Sequence, residues 1–86
     1  MQKWEYKIVR THWHQSGDDE VVAAVDGVPL VDPTLTFQLR RDAEEERPGI
    51  EAYIQPLGDE GWELVGVRTI GKIQSNARYI FKRPKP

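Results

Sequence analysis

The stretch Gly58-Asp59-Glu60-Gly61-Trp62-Glu63-Leu64-Val65-Gly66-Val67 decides the fold, because along it the chain passes from helical to strand chemistry. Upstream, Pro48 opens an apolar stripe of Ile50, Tyr53, Ile54 and Leu57 at spacings of three and four, which predicts a helix to about Glu60. Pro56 lies inside it, where a proline removes one hydrogen bond and crowds the preceding turn, so a kink or an irregular last turn is expected. Gly61 suits the left-handed backbone that ends a helix, and Trp62 directly after it is placed to fold back over the helix. Downstream, Trp62 to Ile70 and Ala77 to Arg83 read as a closing pair of strands joined by Gly71-Lys72-Ile73-Gln74-Ser75-Asn76.

Toward the N-terminus, Lys3 to Trp13 alternates Trp4, Tyr6 and Ile8 with Glu5, Lys7 and Val9, which predicts a strand. Asp26-Gly27 readily supplies the positive φ values of a tight turn, so Glu20 to Val25 and Val28 to Val31 read as a hairpin, with Pro29 marking an edge strand. Two readings compete from Asp32 to Arg47. Leu35, Phe37 and Leu39 alternate like a strand, whereas Asp32-Pro33 suits a helix start before Arg40/Glu44 and Arg41/Glu45 at helical spacing. The expected fold is a single α+β domain over residues 1–86: a small antiparallel sheet, one principal helix on one face, a hairpin-like insert at 14–47 and a frayed tail at 84–86. The expected core is Trp4, Tyr6, Ile8, Ile54, Leu57, Trp62 and Leu64. That choice leaves Val9, Val65, Val67 and Ile80 on the opposite face, too apolar a set to be left in water.

Three segments, Trp4-Glu5-Tyr6-Lys7-Ile8-Val9-Arg10, the Gly58 to Val67 stretch and the closing Tyr79-Ile80-Phe81-Lys82-Arg83, resemble a small bacterial and phage domain of unknown function. That family is marked by a WEYKVV start, an LGxEGWELV centre and a YxFKR end. The resemblance implies one helix on a small antiparallel sheet and carries over no catalytic residue. It covers the two ends, and the acidic insert departs from it.

Composition bounds the function. The chain of 86 residues is 38% hydrophobic and 30% charged, with no cysteine and a net charge of -2. A domain this short buries only about 60 to 65% of its unfolded surface, so association of subunits is a natural way to stabilise it. The lack of cysteine excludes disulfides, thiolate metal sites and cysteine nucleophiles, and suits a reducing cytoplasm. Met1-Gln2-Lys3-Trp4 leads into a polar alternating segment rather than an apolar signal core, and no apolar run approaches the roughly 20 residues of a membrane span. The expectation is a soluble cytoplasmic protein. Its near-neutrality is a cancellation: residues 1–12 carry +2, residues 13–63 carry -10 and residues 64–86 carry +6. If the first and last segments are neighbouring strands, the sheet is basic and can attract anions.

Few constellations carry chemistry. His12 and His14 stand two apart on a strand, a spacing that can chelate zinc or nickel if Asp18, Asp19 or Glu20 supplies a third ligand. Exposed histidines beside a turn are the plainer reading, and no metal or cofactor is assigned. The carboxylates Asp59, Glu60 and Glu63 and those from Asp42 to Glu46 lack a histidine base, and no nucleophile elbow, phosphate loop or dinucleotide fingerprint is present. An enzyme is therefore not expected. Lys7, Arg68, Arg78 and Lys82 are expected to share the sheet face away from the helix, with Trp13 or Tyr79 available for stacking. The resulting expectation is a noncatalytic module that forms a homodimer or higher homo-oligomer without a membrane. Its alternative is a small anionic ligand, nucleotide or nucleic acid bound through the basic sheet residues.

Overall fold

The computed structural model describes residues 1–13, 20–32, 34–70 and 76–86, the side chains of Glu44, Glu45 and Ile70 excepted. Its elements in chain order are β1 (Trp4–Trp13), β2 (Glu20–Val25), β3 (Val28–Pro29), α1 (Phe37–Glu45), α2 (Ile50–Asp59), β4 (Glu63–Ile70) and β5 (Asn76–Pro84). The five strands form one antiparallel sheet in the order β3-β2-β1-β5-β4. The expected α+β class, the hairpin, the edge position of Pro29 and the principal helix are all present. The first and last strands are neighbours, paired without a break from Trp4 opposite Pro84 to His12 opposite Asn76. Lys85 still donates its backbone N–H to the Lys3 carbonyl at 2.8 Å, so the chain is tied down beyond the point where a frayed tail was expected.

Local chemistry explains the turns. Asp26 and Gly27 sit at φ 51° and 82°, the two positive values that a two-residue hairpin turn requires. The Asp26 carboxylate and backbone N–H both bond to Ile8, each at 2.8 Å, so the turn also extends the ladder to β1. At the end of α2, the Gly61 N–H reaches the Gly58 carbonyl at 3.0 Å and the Trp62 N–H reaches the Leu57 carbonyl at 2.9 Å, with Gly61 at φ 89°. This is the Schellman arrangement, which satisfies the last helical carbonyls and turns the chain sharply into β4. The helix runs through Pro56 to Asp59. Between Asp32 and Arg47 the open choice resolves as helix for Phe37–Glu45, with the Arg40 N–H bonded to the Thr36 carbonyl at 2.8 Å. Two Thr34 hydrogen bonds hold the Asp32 carboxyl below its usual range. Among the described residues, no helix is long and apolar enough to cross a membrane.

The core corrects the expected one. Val9, Val22, Ile50, Leu57 and Phe81 are buried together, with Val25, Tyr53, Ile54, Trp62 and Tyr79 packed against them. Ile54, Leu57 and Trp62 therefore keep their assigned place. Trp4, Tyr6, Ile8 and Leu64 do not, with exposures of 40%, 59%, 43% and 44%. The reason is parity. Successive strand residues point to opposite faces, so a shift of one position exchanges the two sets. β1 is apolar on both, and register places Val9 and Thr11 beside Tyr79 and Ala77 on the side that receives α2. Leu64 lies opposite Phe81 on that same side, but on edge strand β4, where it remains exposed.

Candidate anion-binding face

The sheet face away from α2 is built from alternate residues of three strands. β1 contributes Trp4, Tyr6, Ile8, Arg10 and His12, and β5 contributes Asn76, Arg78, Ile80 and Lys82. A register shift at Leu64/Gly66 resets the parity of β4, so that Glu63, Gly66 and Arg68 share this face. Register then aligns one chemistry across all three strands: Arg10 is opposite Arg78, and Arg78 is opposite Arg68. Their side chains are exposed, and among the described residues no carboxylate lies in ion-pair contact with any of them. Directly opposed residues have Cβ atoms about 4.5 to 5.5 Å apart, and like charges there destabilise a sheet. A row of three guanidinium groups is thus a local expense that no carboxylate among the described residues offsets by an ion pair.

An open depression of about 280 Å³ lies beside the row, lined by Arg10, His12, Ala23, Asn76 and Arg78. Ala23 reaches it because β2 carries an extra residue where the register shifts between Arg10 and Thr11. Such bulges re-aim a side chain and bend the strand locally. Four of these five residues have polar side chains, two of them cationic, and the hollow is open, which suits a charged group held from one side better than an enclosed apolar ligand. The other half of the face is aromatic and aliphatic. The Lys82 Nζ lies 4.2 Å from the centroid of the Trp4 ring, Tyr6 is 59% exposed, and Ile8 and Ile80 are directly opposed between Tyr6 and the arginine row. Glu63, opposite Lys82, is the single acid among the described residues of this face on β1, β4 and β5.

Three expected members of the site, Lys7, Trp13 and Tyr79, lie elsewhere. Lys7 has odd parity and sits on the helix side, with Nζ 3.8 Å from Asp26 and 5.1 Å from the Trp62 ring. Arg83 covers the same ring at 4.2 Å and pairs with Glu5. Trp13 shares the parity of Val9 and Thr11, so it too is absent from the open face, although 44% exposed. Tyr79 also points to the helix side, where its hydroxyl donates to Glu20 while Thr11 donates to the same carboxylate at 2.9 Å. Burial, then the hydrogen bond and charge of Glu20, push the Tyr79 hydroxyl up to about 12. Arg68, Arg78 and Lys82 are on the open face as expected. Arg10 was missed, although its even parity with Tyr6 already assigned it to whichever face Tyr6 occupies.

His12 lines the depression, whereas His14, Asp18 and Asp19 lie outside the described residues. Among the described residues, no three His, Asp or Glu side chains are grouped closely enough to hold a metal ion. No family model, curated protein or solved structure matches this chain.

Proposed function

We propose that the protein is a noncatalytic binding module that holds an anionic, phosphate-bearing ligand on the open face of its sheet. The observation that carries this reading is the cross-strand row of Arg10, Arg78 and Arg68. A stability argument does not explain three opposed cations, whereas a ligand with several anionic oxygens would turn their mutual repulsion into shared attraction. The acidic charge is concentrated in the middle of the chain, where residues 13–63 carry -10, so an overall net charge of -2 is compatible with a local basic row on the strands of the chain ends. Isothermal titration with sodium tripolyphosphate at low salt tests the reading. Arg78→Ala should weaken binding by roughly 10- to 150-fold, the worth of about 1.5 to 3 kcal/mol for hydrogen bonds to charged groups. Wild-type protein that takes up no tripolyphosphate, or an Arg78→Ala protein that binds as well, removes the proposal.

Self-association is a second reading, supported by a different region. Val28, Leu30, Phe37 and Leu39 of the insert are 66%, 42%, 69% and 56% exposed. The radius of gyration is 14.2 Å, against about 12 Å for a compact domain of this length. A homodimer or higher homo-oligomer would cover those side chains and add the burial that a small core lacks. Sedimentation that finds only a 9.9 kDa species at micromolar concentration speaks against it. The cysteine-free composition supports a cytoplasmic setting, and the resemblance of both chain ends supports a bacterial or phage source.

A further inference from the structure

We propose that the phosphate-bearing ligand is single-stranded nucleic acid, with backbone phosphates at Arg10, Arg78 and Arg68 and bases stacked on Tyr6 and Trp4. The inference rests on the anion-binding reading and adds the identity of the ligand. A free anion would need the arginine row alone. The same face continues from that row through the opposed pair Ile8 and Ile80 to Tyr6 and then Trp4, which stand on one strand at alternate positions. Residues two apart on a strand lie about 7 Å from one another, so the even positions from Trp4 to His12 form a track about 27 Å long. That length suits about two to four nucleotides.

Along β1 the surface passes from Arg10, with Arg78 and Arg68 across the strands beside it, to an aliphatic and then an aromatic stretch, so phosphates at one part of a bound strand and bases of the adjoining nucleotides each meet a matching surface. Guanidinium groups answer the phosphates, aliphatic side chains provide a dry step, and an aromatic ring offers a surface that any base can cover. Tyr6 is the principal platform because it is the most exposed of these apolar side chains, at 59%. Trp4 already has the Lys82 ammonium over its ring at 4.2 Å, so Lys82 serves a phosphate near the aromatic end or keeps the indole in position. Gly66, opposite Ile80, leaves the middle of the face without a side chain on β4, which lets a base lie close to the sheet. In a duplex the bases are stacked on one another and their faces are hidden, so Tyr6 and Trp4 would have nothing to cover. Duplex DNA also presents a broad phosphate array to a protein that is acidic outside this face.

Fluorescence anisotropy with labelled ten-nucleotide oligouridylate and oligothymidylate, a ten-base-pair duplex, and tripolyphosphate as competitor tests the inference on the full chain. Either single strand should bind more tightly than the duplex, and the logarithm of its affinity should fall with the logarithm of salt at a slope of about -2 to -3. Tyr6→Ala should weaken single-strand binding by roughly 5- to 150-fold, the worth of one base stack, and leave tripolyphosphate binding unchanged. Tyr6→Phe, which keeps the ring, should bind like wild type. Arg78→Ala should weaken both ligands. If tripolyphosphate binds but Tyr6→Ala leaves single-strand binding intact, or if the duplex binds as tightly, the nucleic-acid inference fails and the anion reading stands. If neither single strand nor tripolyphosphate binds the folded wild type, both fail.

Discussion

On the helix side of β1 and β5, Glu5 meets Arg83, Lys7 meets Asp26, both cations lie against the Trp62 ring, and Glu20 is held by the hydroxyls of Thr11 and Tyr79. On the open side of the same two strands and β4, Arg10, Arg78 and Arg68 stand in one row on the face that also carries exposed Tyr6 and Trp4, and the single acid there among the described residues is Glu63, opposite Lys82. Both faces are made by one alternating pattern, so the difference does not come from composition. It comes from where charges find their partners. The helix side completes its charge pairs within the fold, and the open side presents unmatched positive charge and apolar rings to the surroundings. A face spent on stability should respond to substitution with stability, and a face spent on binding should respond with affinity.

The largest expected separation is between Phe81→Ala and Tyr6→Ala. Phe81 is 1% exposed in the centre of the core, so its loss should lower unfolding free energy by about 3 to 5 kcal/mol. Tyr6→Ala should cost less than about 1 kcal/mol, as expected for a mainly exposed side chain. Urea unfolding measures both, and similar losses from the two would break the contrast.

Tyr79→Phe gives a smaller, pH-dependent effect. At neutral pH it should cost about 1 to 2 kcal/mol through the lost hydrogen bond to Glu20. In wild type the folded state holds the Tyr79 proton up to about pH 12, while the unfolded state releases it near 10. Stability from this group is therefore full below pH 10 and is lost as pH rises toward 12. Thermal melts across that window should fall more steeply for wild type than for Tyr79→Phe.

The smallest effect carries the opposite sign. Arg78→Ala removes the central cation from the row and should raise stability by about 0.2 to 1 kcal/mol at low salt, with the gain shrinking as salt screens the remaining charges. A clear loss of stability would mean that Arg78 supports the sheet itself.

Much of the fold is legible in residue types. Asp26-Gly27 announces its turn, Gly61-Trp62 announces the end of α2 and the entry to β4, and Pro29 announces an edge, because each needs a backbone geometry that few residues adopt. The site is legible only in part. Arg68, Arg78 and Lys82 are readable as basic strand residues, yet their alignment with Arg10 depends on two pairings and on the register shift at Leu64/Gly66. From sequence, Trp4 and Tyr6 fall on the helix side and Lys7 and Trp13 on the opposite one, the reverse of the structure, for the single reason that β1 is apolar on both of its faces.

The sequence by itself determined where α2 and the strands lie and that acid and base are divided between the middle and the ends of the chain, while Asp32 to Arg47 stayed open between strand and helix. These features follow from side-chain spacing and local backbone preference, which act over a few residues. Tertiary structure alone decided which side of the sheet receives α2, and with it whether Tyr6 or Val9 is core and whether three arginines stand together. Strand alternation separates two sets of side chains, but the partner strands and the helix choose between them.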